Sequence, residues 1–174
     1  MKLKITKKKS TKISKWVSLI EKDLQILNKI KKYHSIKVFD YISIISKNEC
    51  GRIPIIKQYR PAMERNTLEF PCGLKDEKKN TIFKIAKKEF EEETGLKIIT
   101  KPKLICKLKV DTGRVENNFF GFFVKSKFSK NKPEKGLKMS LVSKKKLIEL
   151  IKNGKFNHSV HVSHFAIADM KNLI

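Results

Sequence analysis

The chain has 174 residues, 40% of them hydrophobic, enough for one domain with a sizeable core and little beyond it. Its 41 lysines and arginines outweigh 17 acidic residues, giving a net charge of +24, and its three cysteines show no CxxC spacing. No apolar run approaches the ~18–20 residues of a membrane span, and the scattered cysteines argue for reduced thiols in a cytosol-like compartment and against a disulfide framework or a zinc site. The charge has two readings. Only Arg52, Arg60, Arg65 and Arg114 are arginine, the residue that nucleic-acid readers use for bidentate contacts. Lysine-rich drift on a solvated surface is therefore preferred, and a polyanion-binding surface remains the alternative.

In chain order, residues 1–12 read as a basic flexible tail, and Met1 to Lys15 carries no apolar stretch of the secretory kind. Residues 13–174 read as a single domain. Trp16 to Ile30 fits either a strand and a short helix or two strands. Ile36 to Ile45 is β-branched and aromatic, a strand, followed by a turn at Asn48 to Gly51. Ile53 to Tyr59 and Leu68 to Phe70 are further strands. A helix is predicted over about 81–94, stopped by Gly95. Ile98 to Val110 is strand material interrupted by Pro102. Asn117 to Val124, with its run Phe119-Phe120-Gly121-Phe122-Phe123, reads as a central strand and as sheet core rather than a nucleic-acid platform. Leu137 to Val142 is a last strand. Ser143 and Asn157 are expected caps of two closing helices. Strands around one helix, with helices at the end, indicate a mixed-sheet α/β sandwich.

The predicted helix holds the most informative run, Lys88-Glu89-Phe90-Glu91-Glu92-Glu93-Thr94-Gly95-Leu96, with four carboxylates in five residues of a basic chain. At about 100° per residue, Glu89, Glu92 and Glu93 share the side of Ile82, Ile85 and Ala86, while Lys84, Lys87, Lys88 and Glu91 take the other. Carboxylates on a protein-facing side are costly unless a cation sits among them, and a hard divalent metal is the usual one.

Together with Gly73-Leu74-Lys75-Asp76-Glu77, this run resembles the Nudix box, G-x5-E-x7-R-E-U-x-E-E-x-G-U, with U a bulky apolar residue. Lys57-Gln58-Tyr59-Arg60-Pro61 and Leu68-Glu69-Phe70-Pro71-Cys72-Gly73 resemble the strands of the ADP-ribose/ADP-sugar pyrophosphatase branch. The resemblance implies a Nudix α/β/α sandwich with a mixed β-sheet. It implies a cytoplasmic homodimer that uses Mg2+, with Mn2+ as a substitute, to hydrolyse ADP-ribose or a related nucleotide sugar to AMP and a sugar phosphate.

The implied metal ligands are Glu89, Glu93 and the Cys72 carbonyl, with Glu92 as ligand or orienter. Glu134, on the loop before the last strand, is the implied general base. Arg60 is the implied phosphate contact, with Arg114 and Lys57 beside it. Glu116 is a metal or substrate contact or else a structural ion pair, and Trp16 either stacks on adenine or packs in the core. Lys88 stands where the pattern has arginine, and Lys79 or Asn80 where it has its early glutamate, which Asp76 or Glu77 replaces only if the loop is rearranged. These departures keep two alternatives open: a degenerate domain that binds a nucleotide or nucleic acid without turnover, and an enzyme acting on RNA 5′ ends. His158, His161 and His164 recur every third residue and are read as a packed helix face rather than a zinc site.

Overall fold

The computed structural model describes residues 3–75 and 81–174. The chain divides into two compact units, residues 1–40 with 109–118, and residues 41–108 with 119–174.

The first unit is a sheet in the order β1-β2-β3-β10. Strands β1 (Lys4–Lys12), β2 (Ser18–Ile26) and β3 (Lys29–Lys37) are antiparallel, and β10 (Val115–Glu116) runs parallel to β3. Residues 4–12 are therefore a strand and not a tail. Composition points the wrong way here because β1 buries nothing: all nine of its residues are exposed, and the backbone ladder to β2 holds it. Charged, lysine-rich edges are a common defence against unwanted strand pairing. The ambiguous stretch after Trp16 resolves as two strands, with Ile20 and Ser35 as the buried residues of this sheet.

The second unit holds the main core. Strand β4 (Tyr41–Asn48) pairs in parallel with β11 (Phe119–Lys127), and β7 (Cys72–Leu74) pairs antiparallel with β4. The other edge of β11 takes β8 (Lys97–Ile98) and β9 (Lys103–Leu108), both antiparallel. A second sheet has β5 (Ile53–Arg60) between β6 (Arg65–Glu69) and β12 (Lys138–Val142). The helices are α1 (Ile82–Thr94), α2 (Lys144–Lys152) and α3 (Ser159–Met170).

Side chains alternate across the parallel pair, as a pleated strand requires. Ile42, Ile44, Phe120, Phe122 and Val124 pack with Ile85, Ala86 and Phe90 of α1. Ile45 and Phe123 pack with Leu147 and Leu150 of α2 and Phe165 and Ala168 of α3. The unit is thus a mixed sheet between helices, and the phenylalanine run is its core. A strand covered on both faces reads as continuous apolar sequence, which is why β11 was so visible.

Two expected boundaries move. The strand foreseen over 36–45 is two strands, one ending at Lys37 and the next starting at Tyr41. The N-cap of α3 is His158, without a side-chain cap bond, rather than Asn157.

Candidate functional site

Helix α1 is fixed at both ends by its own sequence. The Thr81 side chain accepts from the Lys84 N–H at 3.3 Å, and Gly95, at φ 69°, closes the helix in the left-handed conformation that glycine adopts without strain. The loop between β11 and β12 docks on this end: Ser129 Oγ donates to the Gly95 carbonyl at 2.6 Å and the Glu134 N–H to the Glu92 carbonyl at 2.9 Å.

Glu93 is the buried carboxylate of the helix, 8% exposed. Its Oε2 accepts from the Cys72 N–H at 2.8 Å, tying α1 to the start of β7. Burial pushes its carboxyl up to about 8; the Cys72 hydrogen bond and Arg60 oppose that, and the charges of Glu89 and Glu134 add to it. Glu89 is half-buried beside Gly73. A β-carbon on Gly73 would lie 2.7 Å from Glu89 Oε1, so the close approach of strand and carboxylate requires glycine. With Glu89 as the metal ligand that the sequence resemblance implies, Gly73→Ala is expected to displace it and weaken divalent-cation binding at least ~10-fold while the far-ultraviolet circular dichroism stays native; calorimetric titration with Mn2+ checks this.

Glu92 does not share the buried side. It is exposed and lines a groove of about 700 Å3 with Lys84, Lys87, Lys88, Glu91, Asn131 and Lys132. Glu91 is the half-buried one, its Oε1 accepting from the Ile98 N–H at 3.1 Å. The helical angle put Glu92 at the margin of the apolar stripe, and α1 docks centred on Ala86, Phe90 and Glu93.

Arg60, at the end of β5, is bound bidentately to Glu69, with Nε to Oε1 at 2.9 Å and Nη2 to Oε2 at 2.6 Å. Thr67 Oγ1 donates to the same carboxylate at 2.6 Å. Burial alone would raise the Glu69 carboxyl, but the Arg60 and Thr67 hydrogen bonds hold it below its ordinary value. The Cys72 thiol lies against this pair, with Arg60 Nη2 at 3.4 Å, and burial pushes it well up, so it stays protonated. Glu69 was visible only as part of the strand motif; its pairing joins two strands, and no local spacing announces it. Lys57 lines a separate groove with Arg65 and Lys155.

The histidines of α3 face this region. His158 and His161 stack at 4.2 Å between ring centroids, and both lie nearly parallel to Tyr41. Glu69, His158 and His161 bring ligand atoms within 4.8 Å of one another. Arg60 already takes both Glu69 oxygens, and the two nitrogens of His161 bond Phe70 and Tyr41; of the three, His158 alone has a buried nitrogen, Nδ1, without a hydrogen-bond partner, so the cluster reads as a polar network rather than a metal centre. His161 and His164 are held neutral by burial, His164 down to about 3. A folded-state pKa below the unfolded value favours folding at neutral pH, and this contribution is lost as pH falls below about 6.5. Lowering pH from 7 to 5 is expected to cost about 2 kcal/mol through His164 alone, recovered in His164→Gln and read by urea melts at the two pH values.

Trp16, Arg114 and Glu116 belong to the first unit, described by itself. Trp16 is 43% exposed, edge-on to Phe39 at 5.8 Å, with Lys15 Nζ 4.5 Å from its ring. Arg114 donates to the His34 carbonyl at 2.7 Å and lies over Tyr33. Glu116 is bound by Lys22, by Ser35 Oγ at 2.8 Å and by Lys8 at 3.4 Å, and the Lys22 hydrogen bond does most to lower its carboxyl to about 2. Asp76, Glu77, Lys79 and Asn80, the positions around the early box glutamate, lie outside the described residues.

No family model matches the sequence, and no curated protein matches it. The fold does have counterparts among solved structures. A crystal structure of an ADP compounds hydrolase matches with a TM-score of 0.79 over 98% of this chain and 94% of that one, at 16% identity. The chain therefore shares the mixed α/β fold of that protein. No helix among the described residues is long and apolar enough to cross a membrane.

Proposed function

We propose that this chain is a Nudix-type hydrolase that cleaves the diphosphate of ADP-ribose or a related nucleotide sugar, giving AMP and a sugar phosphate. The observation that carries the reading is Glu93, a buried carboxylate beside Glu89 and Glu134 on a helix whose sequence resembles the Nudix box. The fold likeness to an ADP compounds hydrolase supports it.

The donor set fits a hard divalent cation. The charges of Glu89 and Glu134 add to burial in raising the Glu93 carboxyl, and oxygen ligands suit Mg2+ or Mn2+. Glu89, Glu93 and the Cys72 carbonyl would hold the ion. When bound, it neutralises diphosphate charge and acidifies an attacking water.

The protein's own groups do the rest. The Cys72 N–H orients Glu93. Glu134, anchored to the end of α1 by its backbone, accepts the proton of the water. Glu92 orients the ligand set from the rim. Arg60, its plane fixed by Glu69, keeps unused N–H donors for a phosphate oxygen. The water oxygen bonds to phosphorus, and the bridging P–O bond breaks to release the second phosphate. The same reading includes a cytoplasmic homodimer, Trp16 stacking on adenine, and substrate contacts from Arg114 and Glu116.

A panel of nucleotide sugars and 5′-modified RNAs, incubated with Mg2+ or Mn2+, tests the assignment. Metal-dependent release of AMP from ADP-ribose, with RNA 5′ ends left intact, is expected. Turnover of the RNAs alone, or of nothing, would replace this reading with one of the two alternatives.

A further inference from the structure

The chain passes from β6 to β7 through Phe70 and Pro71, and in doing so leaves one sheet for the other. A buried backbone N–H needs a partner wherever a ladder does not supply one. Proline has no N–H, so the donors of this bridge are Phe70 and Cys72. Each is met by a side chain from a different helix. The Cys72 N–H goes to Glu93 of α1 at 2.8 Å, and the Phe70 N–H goes to His161 Nδ1 of α3 at 3.2 Å.

The second bond fixes the histidine tautomer. Since Nδ1 accepts, the proton sits on Nε2, which donates to Tyr41 Oη at 2.8 Å. The Tyr41 hydroxyl, which accepts from Nε2, is then left to donate. His161 is 0% exposed and stacked against His158, so its ring has little freedom to turn. One imidazole thus grips the bridge at Phe70 and, through Tyr41, holds the strand β4 that pairs with β7.

We propose that His161 is a positioning residue for the carboxylate site, fixing from α3 the 70–72 bridge whose Cys72 N–H orients Glu93. Its bearing on metal rests on the function proposed above; its grip on the bridge does not.

The experiment uses His161→Asn, His161→Gln and His161→Ala in the full chain. Asparagine keeps an acceptor where Nδ1 lies; glutamine keeps a donor where Nε2 lies. Two quantities are read: amide hydrogen exchange at Phe70 and Cys72 in metal-free protein, and Mn2+ affinity by calorimetry. His161→Ala is expected to speed exchange at both amides and to weaken Mn2+ binding about 10-fold. His161→Asn is expected to keep Phe70 protected and to restore most of the Mn2+ affinity, and His161→Gln to leave Phe70 as fast as alanine does. A folded His161→Ala with wild-type exchange and affinity, or asparagine no better than glutamine, overturns the proposal. If alanine does not fold, the asparagine–glutamine contrast decides. Wild-type protein that binds no Mn2+ would remove the proposed function, while the exchange data still judge the grip of His161 on the bridge.

Discussion

Glu93→Gln is expected to cut metal-dependent turnover at least ~100-fold and, in metal-free protein, to raise stability at neutral pH. Both effects follow from one carboxylate. Groups that merely support a metal ligand are worth ~10–100-fold, and a direct ligand, the role proposed for Glu93, lies at or above the top of that range. The carboxamide oxygen can still accept from the Cys72 N–H, so the substitution removes charge and keeps shape. The stability sign follows from burial, which pushes the carboxyl up from 4.5 to about 8 in the metal-free protein. The folded state then holds the proton more tightly than the unfolded chain does. The Glu93 contribution to stability is fully present below about 4.5 and is lost as pH rises toward 8, opposite in sign to the histidine contribution. Chemical melts of metal-free wild type and Glu93→Gln should isolate it: the variant gains on wild type as pH rises, by a few kcal/mol at most, while the histidine contribution is common to both. Added Mn2+ should reverse the order of the two proteins at neutral pH, because only wild type gains from binding.

Arg60→Ala should destabilise the fold by about 2–3 kcal/mol and also raise KM for the nucleotide substrate. Removing one partner of a buried ion pair typically costs ~3–5 kcal/mol, because the other is left uncompensated. The Arg60 side chain is 37% exposed while Glu69 is 2% exposed, so water screens part of the loss. The double variant Arg60→Ala/Glu69→Ala should recover much of the stability without recovering KM. That split separates the observed role of Arg60 as ion-pair partner from its proposed role as phosphate contact. Thermal melts and steady-state kinetics on the single and double variants read it.

What the sequence could reveal follows the range over which its signals act. Helix α1 was legible because Gly95 and the i, i+3, i+4 spacing are local, and β11 because six consecutive buried residues leave an apolar run. Strand β1 was not, because its partner is the ladder of β2 and its side chains bury nothing. The carboxylates were found, but their depth was not: whether Glu91 or Glu92 turns inward depends on where α1 docks. The Arg60–Glu69 pair and the bond from Phe70 to His161, nine and ninety-one residues apart along the chain, leave no periodic trace. The histidine spacing suggested a helix face, and the structure adds what that face touches: Tyr41 and the bridge into β7.

The central claim is that the α1 carboxylates serve a divalent cation in nucleoside diphosphate hydrolysis. Its most direct test is AMP release from ADP-ribose by wild type and Glu93→Gln, side by side, with Mg2+ and with chelator. The account predicts AMP from wild type with Mg2+ alone. Equal release by both proteins, or release that chelator leaves untouched, would contradict it.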